Sequence, residues 1–158
     1  MSVEHTPDGP DRLEDIIKAN IGLDGPLLPI LHAVQHAFGF IPEFAVPAIA
    51  TALNLSRAEV HGVVTFYQDF RDAPPGRHVL KLCRAEACQS RGGVAVEARA
   101  RELLGVEMDS TTADGAVTLE AVYCLGLCAS GPAAMLDDAP VARLSPQRIA
   151  TLIAEIVA

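Results

Sequence analysis

Apolar residues recur every three or four positions through the first half of the chain, which is the spacing of amphipathic helices. Pro47 lies inside the third of these stretches and predicts either a kink or a later helix start. Ser56 and Glu59 have the spacing of a capping box, which opens the fourth stretch. The pattern predicts a module of short helices at residues 11–21, 27–38, 42–53 and 56–67.

The period of the pattern changes in the second half, where short apolar or alternating stretches typical of strands are separated by helical ones. Asp137 and Asp138 form a turn pair between two of the short stretches, and Ser145-Pro146 caps a last helix. The predicted order is β-α-β-β-β-α. These elements are a strand at 78–82, a helix at 93–104, a strand at 117–123, hairpin arms at 133–136 and 141–144, and a helix from 146.

Three regions follow from this change of period. Residues 1–10, rich in Asp, Pro and Gly, are predicted to be a flexible lead-in. Residues 11–75 form the helical module, and residues 76–158 form the second domain. The boundary is placed at the chain-breaking run Ala73–Gly76.

Composition and charge exclude several classes of protein. Half of the residues are apolar, so a buried core is expected. The net charge is −8, and residues 1–75 carry ten acidic residues against four basic ones, which argues against nucleic-acid binding. The sequence contains neither a signal peptide nor a membrane-length apolar stretch, so a cytoplasmic protein without direct membrane insertion is expected.

The cysteines carry the clearest chemical signal. The sequence contains four, arranged as Cys83-x4-Cys88 and Cys124-x3-Cys128 with 35 residues between the pairs. Each pair follows a predicted strand, where loops held by a rigid scaffold concentrate functional groups. Paired cysteines in a cytoplasmic chain indicate metal or redox chemistry rather than structural disulfides.

Spacing alone leaves the type of site open. Both pairs fit a zinc site of four thiolates, and an iron–sulfur cluster fits equally well. Inert buried thiols, or a redox-active disulfide between Cys124 and Cys128, are weaker alternatives, since the thioredoxin-type motif has two intervening residues. His32 and His36 could share one side of a helix, but the glutamate required after the first histidine of a zinc-protease motif is Ala33 here.

Four separated blocks together resemble a known family, the thioredoxin-like [2Fe–2S] subunits of respiratory NADH dehydrogenases. The resemblance covers about residues 12–157, and the blocks occur in the family's order with its cysteine intervals. The blocks are Leu27–Phe44, Val60–Tyr67, Cys83–Cys88 and Tyr123–Pro132.

The resemblance implies an α+β architecture, with a four-helix N-terminal module followed by a thioredoxin-like α/β domain that has a mixed sheet and flanking helices. It also implies that one [2Fe–2S] cluster is held by Cys83, Cys88, Cys124 and Cys128, each pair on its own iron. The expected role is single-electron exchange with a flavin- and NAD-binding diaphorase subunit, with no catalytic residue in this chain.

Within that family the chain looks most like the gamma subunit of soluble molybdenum NAD-dependent formate dehydrogenases. The supporting segments are Ala52–His61, Cys83–Ser90 and Thr111–Gly115. This likeness implies that the other subunits of a formate dehydrogenase complex are partners. FMN, NAD and the molybdenum cofactor are expected on those partners only. The equivalent subunits of NADH:quinone oxidoreductase and of NAD-reducing hydrogenase are the alternatives.

Overall fold

The chain forms two compact units. The structure is a computed structural model that describes residues 9–157, and the boundary between the units lies between Pro74 and Pro75. The assignment of residues 11–75 and 76–158 as separate domains stays a prediction, which expression of each part alone would test.

The described part of the first unit is built from short helices around one apolar core. The helices are α1 (Gly9–Asn20), α2 (Leu27–Phe38), α3 (Ala45–Leu53) and α4 (Arg57–Phe66). The centre of their core consists of the fully buried Ile30, Leu31, Val34, Ile49 and Val60. Residues 1–8 of the predicted lead-in lie outside the described residues, whereas Gly9 and Pro10 belong to α1. No helix within residues 9–157 combines the length and the apolar character required to cross a bilayer.

Two helix starts in this unit show how local chemistry sets boundaries. The capping box that opens α4 is confirmed: Ser56 Oγ accepts the Glu59 N–H at 3.2 Å, and the Glu59 carboxylate accepts the Ser56 N–H at 2.8 Å. Helix α3 begins at Ala45 rather than Pro42, so Pro47 falls in its first turn. Proline is tolerated there because the first four N–H groups of a helix have no intrahelical partner.

The second unit is a mixed five-stranded sheet with helices, as predicted. Its strand order is β2-β3-β1-β4-β5; β1 and β3 are parallel, and the other pairs are antiparallel. Its strands are β1 (His78–Cys83), β2 (Ser110–Thr111), β3 (Val117–Val122), β4 (Ala134–Leu136) and β5 (Ala139–Val141). Its helices are α5 (Glu86–Cys88), a π-helical segment (Gln89–Gly93), α6 (Val94–Leu104), a 3₁₀ turn (Cys128–Ser130) and α7 (Pro146–Val157).

The two long helices of this unit, α6 and α7, pack against each other and against the sheet. Alternate residues of β1 and β3, including Leu80 and Leu119, are completely buried beneath them. Ile149 and Ile153 of α7 lie in the same core, so the apolar stripe predicted for the last helix faces inward as expected.

Three details of the second half differ from the sequence prediction. The two-residue strand β2 and the helical turns at residues 86–93 were not predicted. The second hairpin arm is Ala139–Val141 instead of 141–144. Asp137 and Asp138 both have positive φ, so they form a two-residue turn and Leu136 pairs directly with Ala139.

Candidate [2Fe–2S] site

The sheet topology brings the two cysteine loops to one edge. Strands β1 and β3 are parallel, and Cys83, the last residue of β1, is in register with Val122, the last residue of β3. Cys124 follows two residues later. Because parallel strands end at the same edge of a sheet, the loop after each strand begins at the same place. Cysteine pairs that 35 residues separate along the chain therefore become neighbours.

Groups of both cysteine loops affect the pKa of the Cys83 thiol. Burial raises the pKa of the Cys83 thiol, but hydrogen bonds from the Ala85 N–H and the Cys88 thiol act against it, as do the N–H groups of Cys124 and Leu125. Together they hold the pKa of Cys83 below its ordinary value. Two of these donors belong to the second cysteine loop. The thiolate is the form that binds metal, so this arrangement favours a ligand.

The other cysteine of the first pair, Cys88, lies at the end of α5 and is only 2% exposed. Burial, followed by its hydrogen bond with Cys83, raises the pKa of the Cys88 thiol, while the N–H of Ala133 acts in the opposite direction. A Cβ atom added to Gly131 would lie 3.2 Å from the Cys88 sulfur. This is tighter than ordinary van der Waals contact, so glycine at residue 131 lets the backbone approach the sulfur without displacing it.

The second pair is held by an unusual backbone. Cys124 has φ +100°, a conformation that L-residues rarely adopt, and such outliers cluster at functional sites. Its sulfur accepts the Gly126 N–H at 3.4 Å and stands 4.0 Å from the sulfur of Cys128. The hydrogen bond with Cys124, followed by the charge of Cys124, raises the pKa of Cys128. The charge of Cys83 contributes as well, which again indicates that the two pairs are close.

Exposure divides the four sulfur-bearing side chains into two kinds. Cys83 is 7% exposed and Cys88 is 2% exposed, and both pack with Ala133 in a small apolar cluster. Cys124 and Cys128 are exposed. One end of the site is therefore shielded from water, whereas the other end opens to the surface of this unit.

Further contacts fix the loops around the sulfurs. The N–H of Arg84 donates to the Val122 oxygen at 2.8 Å, which extends the β1–β3 pairing past Cys83. Arg91 Nε donates to the Gly131 oxygen at 3.0 Å and joins the segment after Cys88 to the segment after Cys128.

The residues fit a metal cofactor held by thiolates. Two sulfurs bound tetrahedrally to one metal at about 2.3 Å stand about 3.8 Å apart, close to the observed Cys124–Cys128 distance of 4.0 Å. All four thiols are free, and that distance is well beyond a disulfide bond of about 2.05 Å. Within residues 9–157, no group of three or more His, Cys, Asp or Glu side chains is arranged to hold a single metal ion.

The structure brings together the four cysteines that the sequence singled out, and their role as cluster ligands stays a prediction. His32 and His36 belong to α2, in the first unit. The sequence did not reveal the backbone donors to Cys83 or the contact between Arg91 and Gly131. Gly126 and Gly131, which stand beside the second pair in the sequence, indicate close backbone approach because glycine presents no side chain.

The chain is similar in sequence to subunits of known oxidoreductases. Among curated proteins, an NADH-quinone oxidoreductase subunit of Pseudomonas aeruginosa is 37% identical over 123 residues, which covers 78% of this chain and 74% of that protein. The HndA subunit of the NADP-reducing hydrogenase of Solidesulfovibrio fructosivorans is 29% identical over 132 residues, which covers 84% of this chain and 77% of that protein.

A solved structure shares the fold. The crystal structure of an NAD+-reducing [NiFe]-hydrogenase in the air-oxidized state aligns with a TM-score of 0.64 at 23% identity. The alignment covers 99% of this chain and 24% of the hydrogenase chain, so this chain spans about a quarter of that one. Residues 13–157 match the family described as thioredoxin-like [2Fe-2S] ferredoxin, and this chain belongs to that family.

Proposed function

We propose that this chain is an electron-transfer subunit that carries one [2Fe–2S] cluster on Cys83, Cys88, Cys124 and Cys128, within an NAD-linked oxidoreductase complex. The observation that carries the proposal is the convergence of the two loops: Cys83 and Val122 end parallel strands in register, and the Gly131 segment that follows Cys128 lies against the Cys88 sulfur. Family membership supports the type of cofactor. The relatives named as NADH-quinone oxidoreductase and hydrogenase subunits support the type of complex.

When bound, such a cluster supplies one-electron redox chemistry. The protein supplies position, shielding from water and electrostatics. Cys83 and Cys88 keep one end of the site dry, and backbone N–H groups that donate to sulfur stabilise negative charge there. No side chain of this chain is assigned a catalytic role.

Iron and sulfide analysis of the purified full chain, with its visible and electron paramagnetic resonance spectra, tests this proposal. We expect about two irons and two sulfides per chain, a coloured oxidised protein and a paramagnetic reduced one. Glu86→Gln changes an exposed carboxylate between Cys83 and Cys88 that is not a proposed ligand. This variant should retain the iron and serves as the control for substitutions of the cysteines. Colourless protein with zinc would support a zinc-stapled interaction module. Metal-free protein with disulfide reductase activity would support a thiol–disulfide oxidoreductase.

For the complex itself, we propose a cytoplasmic NAD-dependent formate dehydrogenase. The support is the likeness in Ala52–His61, Cys83–Ser90 and Thr111–Gly115. In this assignment a diaphorase subunit binds FMN and NAD, another subunit binds the molybdenum cofactor, and this chain connects to the diaphorase subunit.

Affinity purification of the tagged full chain from its native cell, followed by activity assays, tests the choice of complex. We expect formate-dependent NAD+ reduction and molybdenum in the purified material. Hydrogen-dependent NAD+ reduction with nickel, or NADH:quinone activity with membrane subunits, would contradict the formate dehydrogenase and support one of the two alternative complexes.

A further inference from the structure

One side chain joins the two cysteine loops. Arg91 Nε donates to the carbonyl oxygen of Gly131 at 3.0 Å. Arg91 lies three residues after Cys88, in the π-helical segment, and Gly131 lies three residues after Cys128. The hydrogen bond therefore connects the two segments that leave the site, one from each cysteine pair.

Gly131, the residue that accepts this hydrogen bond, lies against Cys88, which is a candidate cluster ligand. The space where Gly131 would carry a Cβ atom is 3.2 Å from the Cys88 sulfur. A hydrogen bond that fixes Gly131 also fixes the backbone against which that sulfur packs. The Arg91 guanidinium is consequently held at the rim of the four-cysteine site, although the residue as a whole is exposed.

The guanidinium groups of Arg91 and Arg84 have different hydrogen-bond and ion-pair partners. Arg84 is the arginine directly after Cys83. Arg84 Nε lies 3.0 Å from the carboxylate of Glu97, which is only 17% exposed and offsets the charge of Arg84. Arg91 donates to a neutral carbonyl oxygen, so that contact does not offset its charge. A [2Fe–2S] core with four thiolates is anionic and gains a further negative charge on reduction, so a nearby cation favours the reduced form.

Resting on the proposed function, we propose that Arg91 is a positioning residue for the [2Fe–2S] cluster, whose Nε–H ties the Gly131 segment to the Cys88 segment and whose charge raises the reduction potential of the cluster. Two physical effects are combined in one side chain, and substitutions separate them.

Arg91→Gln and Arg91→Lys form the informative pair. Glutamine removes the charge but carries its amide Nε2–H where arginine has its Nε–H, so it can still donate to the Gly131 oxygen. Lysine keeps the charge but places a methylene group where arginine has its Nε–H, so the bond to Gly131 as it stands is lost. Arg99→Gln is the control, because Arg99 lies eight residues further along, in α6, and pairs with Glu102 at 2.8 Å.

The first measurement is the reduction potential of the full chain, obtained by a redox titration of the paramagnetic signal. In Arg91→Gln we expect the reduced-to-oxidised ratio at a fixed potential to fall about three- to tenfold, which is about 30–60 mV at 59 mV per tenfold change. Arg91→Lys and Arg99→Gln should remain close to the original chain. An unchanged reduction potential in Arg91→Gln would contradict the proposal that the charge of Arg91 raises the potential of the cluster.

The second measurement is the rate at which a chelator removes iron. Arg91→Lys should lose iron several-fold faster than the original chain and the Arg99→Gln control, whereas Arg91→Gln, which keeps a donor at the position of Nε, should lose iron at close to the original rate. Equal rates in all four proteins would overturn the positioning role. A cluster-free original chain would instead contradict the proposed function, so the two failures are distinguishable.

Discussion

The two cysteine pairs reach one site by different physical means. Cys83 and Cys88 belong to regular elements and are buried with Ala133, so packing of the sheet and its helices determines their positions. Cys124 and Cys128 are exposed; Cys124 has φ +100° and Cys128 begins a short 3₁₀ turn, so loop backbone conformation determines their positions. The first pair should therefore be sensitive to core packing and to any loss of a sulfur. The second pair should be more tolerant of substitution of one of its cysteines.

The largest difference is expected when each pair loses one thiol. Cys88→Ser buries a poor ligand where water cannot enter, so the chain should retain less than about a tenth of its iron. Cys128→Ser places the same group at an exposed position, where solvent oxygen can complete the coordination, and a substantial share of the iron should remain with an altered visible spectrum. Iron content per chain after anaerobic purification checks both values. Equal retention would remove the distinction between the pairs.

Core packing along β1, the strand that ends at Cys83, gives the next largest effect. Leu80 is completely buried on β1, two residues before Leu82 and three before Cys83. Leu80→Ala should lower the free energy of unfolding by about 2–5 kcal/mol because it removes buried contacts and leaves a cavity. Tyr123→Ala, at a 59% exposed residue directly before Cys124, should change it by less than about 0.5 kcal/mol. Urea unfolding of the full chain, followed by circular dichroism, measures both changes.

A smaller effect is expected at the point where the second loop touches the first pair. Gly131 has φ −66°, so alanine is conformationally acceptable there, but its Cβ would press against the Cys88 sulfur at 3.2 Å. Gly131→Ala should therefore cost about 1–3 kcal/mol by overpacking and speed iron loss. Gly62→Ala is the control, because nothing lies within 4 Å of the added atom on α4. If the two variants have equal free energies of unfolding and equal rates of iron loss, the contact between residue 131 and the Cys88 sulfur does not restrict the side chain at residue 131.

The sequence predicted the parts of this site that depend on regular patterns. Short apolar or alternating stretches predicted strands at 78–82 and 117–123, which the structure has at His78–Cys83 and Val117–Val122, and paired spacing singled out the four cysteines. It missed α5 and the π-helical segment because a few residues are too short to show a helical period. The positive φ of Cys124 could not be anticipated either, because only Asn, Asp and Gly commonly signal that conformation. Contacts such as Arg91 to Gly131 depend on the tertiary fold.

The smallest effect concerns the end of β1 opposite Cys83. Burial raises the pKa of Asp137, but hydrogen bonds from His78 and the Val79 N–H outweigh it and hold the pKa below its usual value. A carboxyl whose pKa is lower in the folded state stabilises the protein above its unfolded-state pKa. That contribution is lost as the pH falls through the folded-state value.

Asp137→Asn should accordingly lower the free energy of unfolding by less than about 1 kcal/mol at neutral pH, since Asp137 is 45% exposed. The difference should shrink as the pH falls towards and below the folded-state pKa of Asp137. Asparagine tolerates the positive φ of residue 137, so the turn itself is preserved. Urea unfolding of both proteins across acid to neutral pH provides the comparison, and a difference that grows as the pH falls through the folded-state pKa of Asp137 would contradict the assigned sign.

In the proposed function two distant loops build one cluster site, and a single substitution in each loop tests this most directly. Cys83→Ser should lose iron, sulfide and colour together, and Cys124→Ser should lose the original spectrum together with part of its iron. If either variant keeps the iron content and spectrum of the original chain, the site does not require both loops and the account is wrong.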